Sequence, residues 1–250
     1  MTITLFADEV APERKNFPDS FWDRLVNALG LVGSRTRVLD LGTSGGEAAR
    51  GLARFGAVAV GLDASERLFA EARRRDQAAG VKVDYAVGTP ERTGQPDASF
   101  DIVLAAQSWP ADGGAAAREA ARILKRKGLL AIAGFAWQPL PRNVVEAAED
   151  IIVRHAPGWS KGAVNKLYGQ WWPAVHAAGF REFRTFFHDN DYAYTHAEFR
   201  HYVAARVAGA VGAAALPTLD AELDQMLKKR FPDDYLVAPH RSFVFWAERP

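Results

Sequence analysis

A glycine-rich segment between residues 38 and 53 holds the residues whose types and spacing best fit a chemical role. It reads Val-Leu-Asp-Leu-Gly-Thr-Ser-Gly-Gly-Glu-Ala-Ala-Arg-Gly-Leu-Ala, so an apolar run ends near Asp40, glycines follow, and a helical pattern begins. A strand, a tight turn and a helix start in this order are typical of loops that hold an adenosine-bearing cofactor. The segment therefore predicts a cofactor loop.

The glycine spacing and Asp40 distinguish between cofactors. Gly42, Gly45 and Gly46 do not follow the G-x-G-x-x-G spacing that lets backbone approach a pyrophosphate. The Asp40 carboxylate would repel two phosphates, but it attracts the ammonium and sulfonium groups of S-adenosylmethionine. The methionyl carboxylate can take backbone N–H groups at the helix start. We therefore expect the cofactor to be S-adenosylmethionine. Its methionyl part would be surrounded by Asp40, Gly42, Ser44, Gly45 and Gly46.

A second carboxylate, that of Asp63, supports this prediction. Asp63 ends the next apolar run, about 20 residues after the loop, where a carboxylate can accept both ribose hydroxyls. Its alternative role is to cap a helix that starts at Ser65 or Glu66. We also expect Ser44 and Glu47 to form a capping box, with the helix beginning near Gly45.

Short apolar runs alternate with helical patterns between residues 37 and 133, which predicts a parallel sheet with right-handed crossovers. The expected strands are 38–41, 58–62, 81–87, 102–106 and 129–133, and the helices are 46–55, 65–79 and 115–125. Strand-like segments at 180–187 and 242–248 complete a seven-stranded sheet. The fold class is thus α/β, Rossmann-like, doubly wound and mostly parallel, with a helical cap in the C-terminal third.

We expect one domain over residues 1–250. Its parts are a helical lead-in (1–36), a cofactor-binding core (37–133) and two substrate-side insertions (134–170 and 195–239) that close over the acceptor. A helix is expected at 168–178, and two more, separated by Pro217, at 196–231. Residues 134–166 look irregular because prolines and tryptophans interrupt them.

The composition excludes several classes of protein. A net charge of +1 gives no electrostatic case for a nucleic-acid partner. No cysteine is present, so disulfides, thiolate metal sites and cysteine nucleophiles are excluded. The six histidines lack metal-ligand spacing, so no catalytic metal is expected. Neither a signal peptide nor a membrane span is recognisable, so we expect a cytoplasmic protein without a membrane partner.

Several segments together resemble class I S-adenosylmethionine-dependent methyltransferases. Val38–Ala53 resembles motif I of the type 11 group, which includes the ubiquinone/menaquinone C-methyltransferases, with Ser44 at the middle glycine position. Gly61–Arg73, Gly88–Glu91 and Gln95–Leu104 resemble the group's ribose segment, third motif and fourth strand. The match extends to Arg118–Gly128 and to the last twelve residues.

The resemblance implies further cofactor contacts. It places ribose at Asp63, and it surrounds adenine with Ala64, Thr89, Pro90 and Glu91. Thr89 stands where the family often has an acidic residue. Gln107 and Ser108, which resemble the family's segment after the fourth strand, would lie near the sulfonium.

The acceptor side is less defined. Trp109 and Trp137 directly follow predicted strands at the carboxyl edge of the sheet, so we expect them to line the pocket of a small-molecule acceptor. His240, His188 and Tyr168 are the weak candidates for a catalytic group. The sequence names no base, so we expect catalysis to rest mainly on positioning the acceptor.

Two alternatives remain open at this stage. One is an NAD-dependent oxidoreductase, and the other is a non-catalytic protein that retains the nucleotide-binding fold. The acceptor, the methylated atom type and the oligomeric state are not predicted.

Overall fold

A computed structural model describes residues 16–31, 33–161 and 170–250, and within them seven strands form one sheet. The strands are β1 Arg37–Leu41, β2 Val58–Asp63, β3 Val83–Val87, β4 Phe100–Ala106, β5 Leu124–Trp137, β6 Arg181–Thr195 and β7 Tyr235–Glu248. The helices are α1 Asp19–Ala28, α2 Glu47–Ala53, α3 Phe69–Ala78, α4 Gly114–Ile123, α5 Val144–His155, α6 Trp172–Ala177, α7 His196–Val211 and α8 Leu216–Arg230.

The strand order is β3-β2-β1-β4-β5-β7-β6, and the first five strands pair in parallel. The backbone bond of Lys127 to Arg249 and that of Gln138 to Pro239 show that β7 runs antiparallel to β5. The order reverses at β1 and β4, so the carboxyl ends of these strands meet at the switch point where ligands bind in open α/β sheets. The predicted α/β, mostly parallel sheet is confirmed.

The described residues separate into two compact units. The larger unit comprises residues 17–134 without 32, 170–188 and 242–250, and the smaller unit comprises residues 16, 135–161 and 189–241. Most described residues of the two predicted insertions belong to the smaller unit. The cap function and the single-domain organisation stay predictions.

The larger unit contains the core on which the cofactor loop rests. Helix α1 buries Phe21 and Leu25 in a cluster with Val38 of β1 and Leu52 of α2. The ring of Trp22 lies against Gly51, where an added Cβ would approach to 3.0 Å, so α2 packs closely on α1. Close packing of this kind fixes the position of the helix that follows the loop.

The smaller unit has its own hydrophobic core, formed by α5, α7 and α8 around Trp137. Helix α5, which was not predicted from the sequence, begins where the Asn143 side chain accepts from the Glu146 N–H at 2.8 Å. Helix α7 begins with a complete capping box of Thr195 and Glu198. Pro217 lies in the first turn of α8, where its missing N–H breaks no helical bond.

Candidate active site

The loop of residues 42–46 turns sharply from β1 into α2. Gly42, Ser44 and Gly46 have φ values of 65°, 49° and 76°, in the left-handed region that favours glycine. Helix α2 begins at Glu47, and no side chain caps it. The predicted capping box of Ser44 and Glu47 is therefore wrong, because the left-handed turn at Gly46 delays the helix and the Ser44 N–H bonds elsewhere.

The Asp40 carboxylate lies beneath this loop and is 2% exposed. Its Oδ2 accepts from the Thr43 hydroxyl at 2.7 Å and from the Ala49 N–H at 3.1 Å. Burial raises the pKa of Asp40 to about 7, against the opposing effect of these hydrogen bonds, and the nearby Asp63 carboxylate adds to the rise. Asp40 therefore shapes the loop from below, and its charge state changes near neutral pH.

Asp63 connects the end of β2 to the same loop. Its Oδ2 accepts from the Ser44 N–H at 2.9 Å, and its Oδ1 accepts from the Ser65 N–H at 3.1 Å. The short 3-10 turn of residues 66–68 is capped by the Ser65 side chain, so Asp63 is not its N-cap. The carboxylate remains partly exposed at the tip of the strand.

The space around the loop glycines shows where a ligand fits. A Cβ at Gly42 would lie 2.5 Å from Ser108 Cβ, and one at Gly46 would lie 2.1 Å from Tyr85 Oη. Protein atoms therefore fill the space that a side chain or a ligand would need at these two glycines. At Gly45 the nearest atom would be Arg75 Nη1, at 3.9 Å. An S-adenosylmethionine chain could therefore approach the Gly45 backbone closely. The residues present fit this cofactor.

A buried polar network that local sequence patterns do not predict lies below the loop. Arg50 donates from Nη2 to the Gly45 carbonyl at 2.8 Å and from Nε to Asp76 Oδ1 at 2.8 Å. The Tyr85 hydroxyl donates to Asp76 Oδ2 at 2.8 Å. Burial and the Asp76 carboxylate raise the pKa of Tyr85 well above its usual range, so it stays a donor. The partners are too far apart in sequence for local spacing to reveal them.

The predicted adenine residues lie in the turn after β3. Thr89 and Arg92 exchange two backbone hydrogen bonds, of 3.1 and 3.0 Å, around Pro90 and Glu91. Residues of this turn, Thr89 and Glu91 among them, line a surface cleft of about 620 Å³. Ala64 is exposed directly after Asp63.

The turn is anchored to α4. The Glu119 carboxylate accepts from the Thr93 N–H at 2.9 Å and from its hydroxyl at 2.5 Å. The Arg122 guanidinium beside Glu119 lowers the pKa of this carboxyl to about 2, so it remains an acceptor at physiological pH.

Gln107 and Ser108 follow β4 as predicted. Gln107 is exposed, has a φ of 62°, and donates its N–H to the Ala133 carbonyl at 2.8 Å. The Ser108 hydroxyl donates to the Leu41 carbonyl, and its Cβ lies against Gly42. Ser108 thus secures the start of the glycine loop.

The two predicted acceptor tryptophans are both buried. Trp109 packs against Gly113, and its indole N–H has no hydrogen-bond partner among the described residues. Trp137 is 1% exposed and donates its indole N–H to Glu149 at 2.9 Å inside the smaller unit's core. The expectation that Trp137 presents its ring to an acceptor does not fit this placement.

The candidate catalytic histidines have structural partners. His240 is fully buried, and its Nδ1 lies 2.9 Å from the Ala238 carbonyl, so Nδ1 carries a proton and Nε2 can accept from Tyr194 or Tyr202. His188 Nε2 lies 2.9 Å from the Ser20 hydroxyl. Tyr168 lies outside the described residues.

The described residues hold neither a metal-binding cluster nor a membrane-spanning helix. They contain no cluster of three or more acidic or histidine side chains arranged to hold a metal ion. None of their helices is long and apolar enough to cross a membrane.

Comparison with known proteins finds a family model that matches the loop and the strands around it. Residues 39–132 match the Methyltransferase domain family of type 11. A ubiquinone biosynthesis O-methyltransferase of Azorhizobium caulinodans is 36% identical over 98 residues, which are 38% of this chain and 39% of that protein. The chain therefore covers well under half of this curated relative.

Solved structures share the whole fold. A putative type II methyltransferase from Anaeromyxobacter dehalogenans superposes with a TM-score of 0.65 at 20% identity, over 94% of this chain and 97% of that chain. The phosphoethanolamine N-methyltransferase 2 of Haemonchus contortus, solved with S-adenosylhomocysteine, superposes with a TM-score of 0.54 at 18% identity. The superposition covers 92% of this chain and 52% of that chain. Residues 39–132 are therefore similar to the type 11 methyltransferase domain, and the fold of the described chain is similar to that of solved methyltransferases.

Proposed function

We propose that this chain transfers a methyl group from S-adenosylmethionine to a small-molecule acceptor. One observation carries the proposal: the carboxylates of Asp40 and Asp63 both accept hydrogen bonds from the loop at the switch point. Ionised Asp40 favours a cationic donor and opposes a diphosphate, whereas Asp63 suits the ribose of either cofactor. Asp40 therefore argues against an NAD-dependent oxidoreductase.

The residues divide between the parts of the donor. Gly45, with its open Cβ direction, would lie along the methionyl chain, and Asp63 would accept the ribose hydroxyls with the lone pairs that its bond to Ser44 leaves free. The exposed Thr89 and Glu91 would border adenine. The bound donor supplies an electrophilic methyl group, and the protein's task is to orient it and to exclude water.

The acceptor is proposed only by class. Trp109 is the better acceptor-side candidate, because a buried indole N–H without a partner is costly and a bound molecule could accept from it. The curated relative named above acts in ubiquinone biosynthesis, so phenolic quinone precursors are the first acceptors to assay. A cytoplasmic location and the lack of a nucleic-acid partner stay predictions.

The choice of donor is tested by calorimetry on the purified chain. We expect S-adenosylhomocysteine to bind with a Kd on the order of 1–100 µM, and NADH to bind at least about tenfold more weakly because its diphosphate faces the Asp40 carboxylate. Tighter binding of NADH would contradict the proposal. Binding of neither compound would favour the non-catalytic alternative.

Replacement of Gly45 tests whether the donor lies against the loop. Gly45→Ala should leave Tm unchanged, because the residue is outside the left-handed region and the new Cβ has room. The same Cβ would meet the methionyl chain, so S-adenosylhomocysteine affinity should fall by about 5- to 50-fold. Gly114→Ala, at another site with space and ordinary φ, is the control and should change neither quantity. Unchanged affinity in Gly45→Ala would place the donor elsewhere.

The charge of Asp40 should act in opposite directions on stability and on donor binding. The folded-state pKa of about 7 exceeds the ordinary aspartate pKa of 3.8, so Asp40 stabilises the fold most below about pH 4, and this contribution is lost as pH rises through 7. Asp40→Asn can still accept from Thr43 and Ala49. It should therefore raise the free energy of unfolding at pH 8 by up to about 4 kcal/mol, with little change at pH 4.

The affinity for the donor should depend on pH through Asp40 in the parent, and Asp40→Asn should remove this dependence. In the parent, S-adenosylmethionine affinity should rise as pH increases through 7, because the cation favours ionised Asp40. Asp40→Asn should flatten this dependence and weaken binding at pH 8. The exposed Asp84→Asn serves as the control in chemical denaturation and calorimetry. A parent affinity that does not vary between pH 6 and 8 would refute the role of Asp40.

Catalysis through positioning predicts that neither histidine is required. Once an acceptor is known, His188→Ala and His240→Asn should retain methyl transfer within about fivefold of the parent, since both rings already have structural partners. Radiolabelled methyl incorporation measures this. A loss of about 100-fold or more in either variant, with S-adenosylhomocysteine affinity intact, would instead identify a base.

A further inference from the structure

Arg50 is a buried cation whose hydrogen bonds converge on the cofactor loop. The residue is 8% exposed, and its Nη2 donates both to the Gly45 carbonyl and to the Ala72 carbonyl of α3, at 2.8 and 3.2 Å. Its Nε forms an ion pair with Asp76, which is 4% exposed. One guanidinium therefore connects α2, α3 and the loop.

The Gly45–Gly46 peptide is held on both sides. Its carbonyl accepts from Arg50, and its N–H donates to the Thr43 carbonyl at 2.8 Å. Because the carbonyl is turned toward the buried guanidinium, its negative end does not face the carboxylate that a methionyl chain would bring. The Tyr85 hydroxyl, fixed by Asp76, supports Gly46 from the same side.

Stability alone does not explain these charges. Burying an ion pair carries a large desolvation cost, and well-packed apolar residues of similar volume are often as stable or more stable. Apolar side chains would, however, leave the Gly45 carbonyl without its donor. The arrangement makes sense if the orientation of this peptide matters to what binds above it.

We propose that Arg50 is a positioning residue for the methyl donor, acting with Asp76 and Tyr85 through the Gly45–Gly46 peptide. The inference rests on the proposed function, because it assigns these residues to the methionyl half of that same site. The adenosine half, around Asp63 and Thr89, has its own anchors on Ser65 and Glu119. Loss of the network should therefore affect the two halves of the donor unequally.

The test compares an apolar triple variant, Arg50→Met/Asp76→Leu/Tyr85→Phe, with the parent. Its Tm should stay within about 5 °C of the parent value, because no buried charge is left unpaired. S-adenosylhomocysteine should bind about tenfold more weakly, whereas adenosine, which lacks the methionyl chain, should bind within about twofold of the parent. Calorimetry and competition measurements supply both affinities.

Two further variants complete the design. Arg50→Lys keeps the charge but cannot span both Asp76 and the Gly45 carbonyl, so it should weaken S-adenosylhomocysteine by about three- to tenfold while sparing adenosine. It decides the question if the triple variant does not fold. Arg200→Met removes an ion pair with Asp220 in the smaller unit and should alter neither affinity, whatever its effect on Tm.

The outcomes separate the two proposals. If the parent does not bind S-adenosylhomocysteine, the proposed function fails. If the parent binds but the folded Arg50 variants bind S-adenosylhomocysteine as well as it does, only the role of Arg50 is overturned. Equal weakening of S-adenosylhomocysteine and adenosine would also overturn it, because that pattern indicates general damage to the site.

Discussion

The five-residue turn between β1 and α2 is the constraint on which the site depends. Three of its residues adopt left-handed backbone conformations, and one of them, Ser44, is not glycine. Such a turn persists only when its surroundings fix its polar groups. The Asp63 carboxylate, at the end of β2, accepts from the Ser44 N–H, and the buried Asp40 carboxylate accepts from the Thr43 hydroxyl. The Arg50 guanidinium donates to the Gly45 carbonyl. The parallel strands bring these side chains together at one edge of the sheet.

The same constraint has an electrostatic cost. Asp40 and the Arg50–Asp76 pair place charged groups where a small protein would ordinarily bury apolar side chains. Ionised Asp40 opposes folding at neutral pH, as its raised pKa shows. Functional sites commonly carry such costs because binding requires charge in a fixed position. The core around α1 and the second core around Trp137 supply the packing that offsets them.

Local sequence signals predicted the elements with strong periodicity or composition. Consecutive apolar residues located the parallel strands, and the positions of Asp40 and Asp63 at strand ends located the loop. The capping box at Ser44 failed because a pattern of side chains does not report the left-handed backbone of Gly46. Helix α5 was missed although Asn143 and Glu146 have capping spacing, because prolines and tryptophans nearby suggested irregular chain.

Tertiary contacts account for the remainder. Arg50 and Asp76 are 26 residues apart, and only the folded sheet makes them partners. Trp137 was predicted to follow a strand, as an acceptor-side residue would, yet it is the last residue of β5 and packs in the core of α5, α7 and α8 with its indole N–H on Glu149. β5 likewise continues to residue 137 alongside β7, its neighbour in the sheet, a pairing that local sequence does not report.

A crystal structure of the chain grown with S-adenosylhomocysteine tests the central claim most directly. The account predicts the methionyl chain against Gly45, both ribose hydroxyls within hydrogen-bond distance of Asp63, and adenine beside Thr89 and Glu91. The Gly45 carbonyl should remain bonded to Arg50. A ligand bound away from Asp63, or a flipped Gly45–Gly46 peptide in the complex, would contradict it.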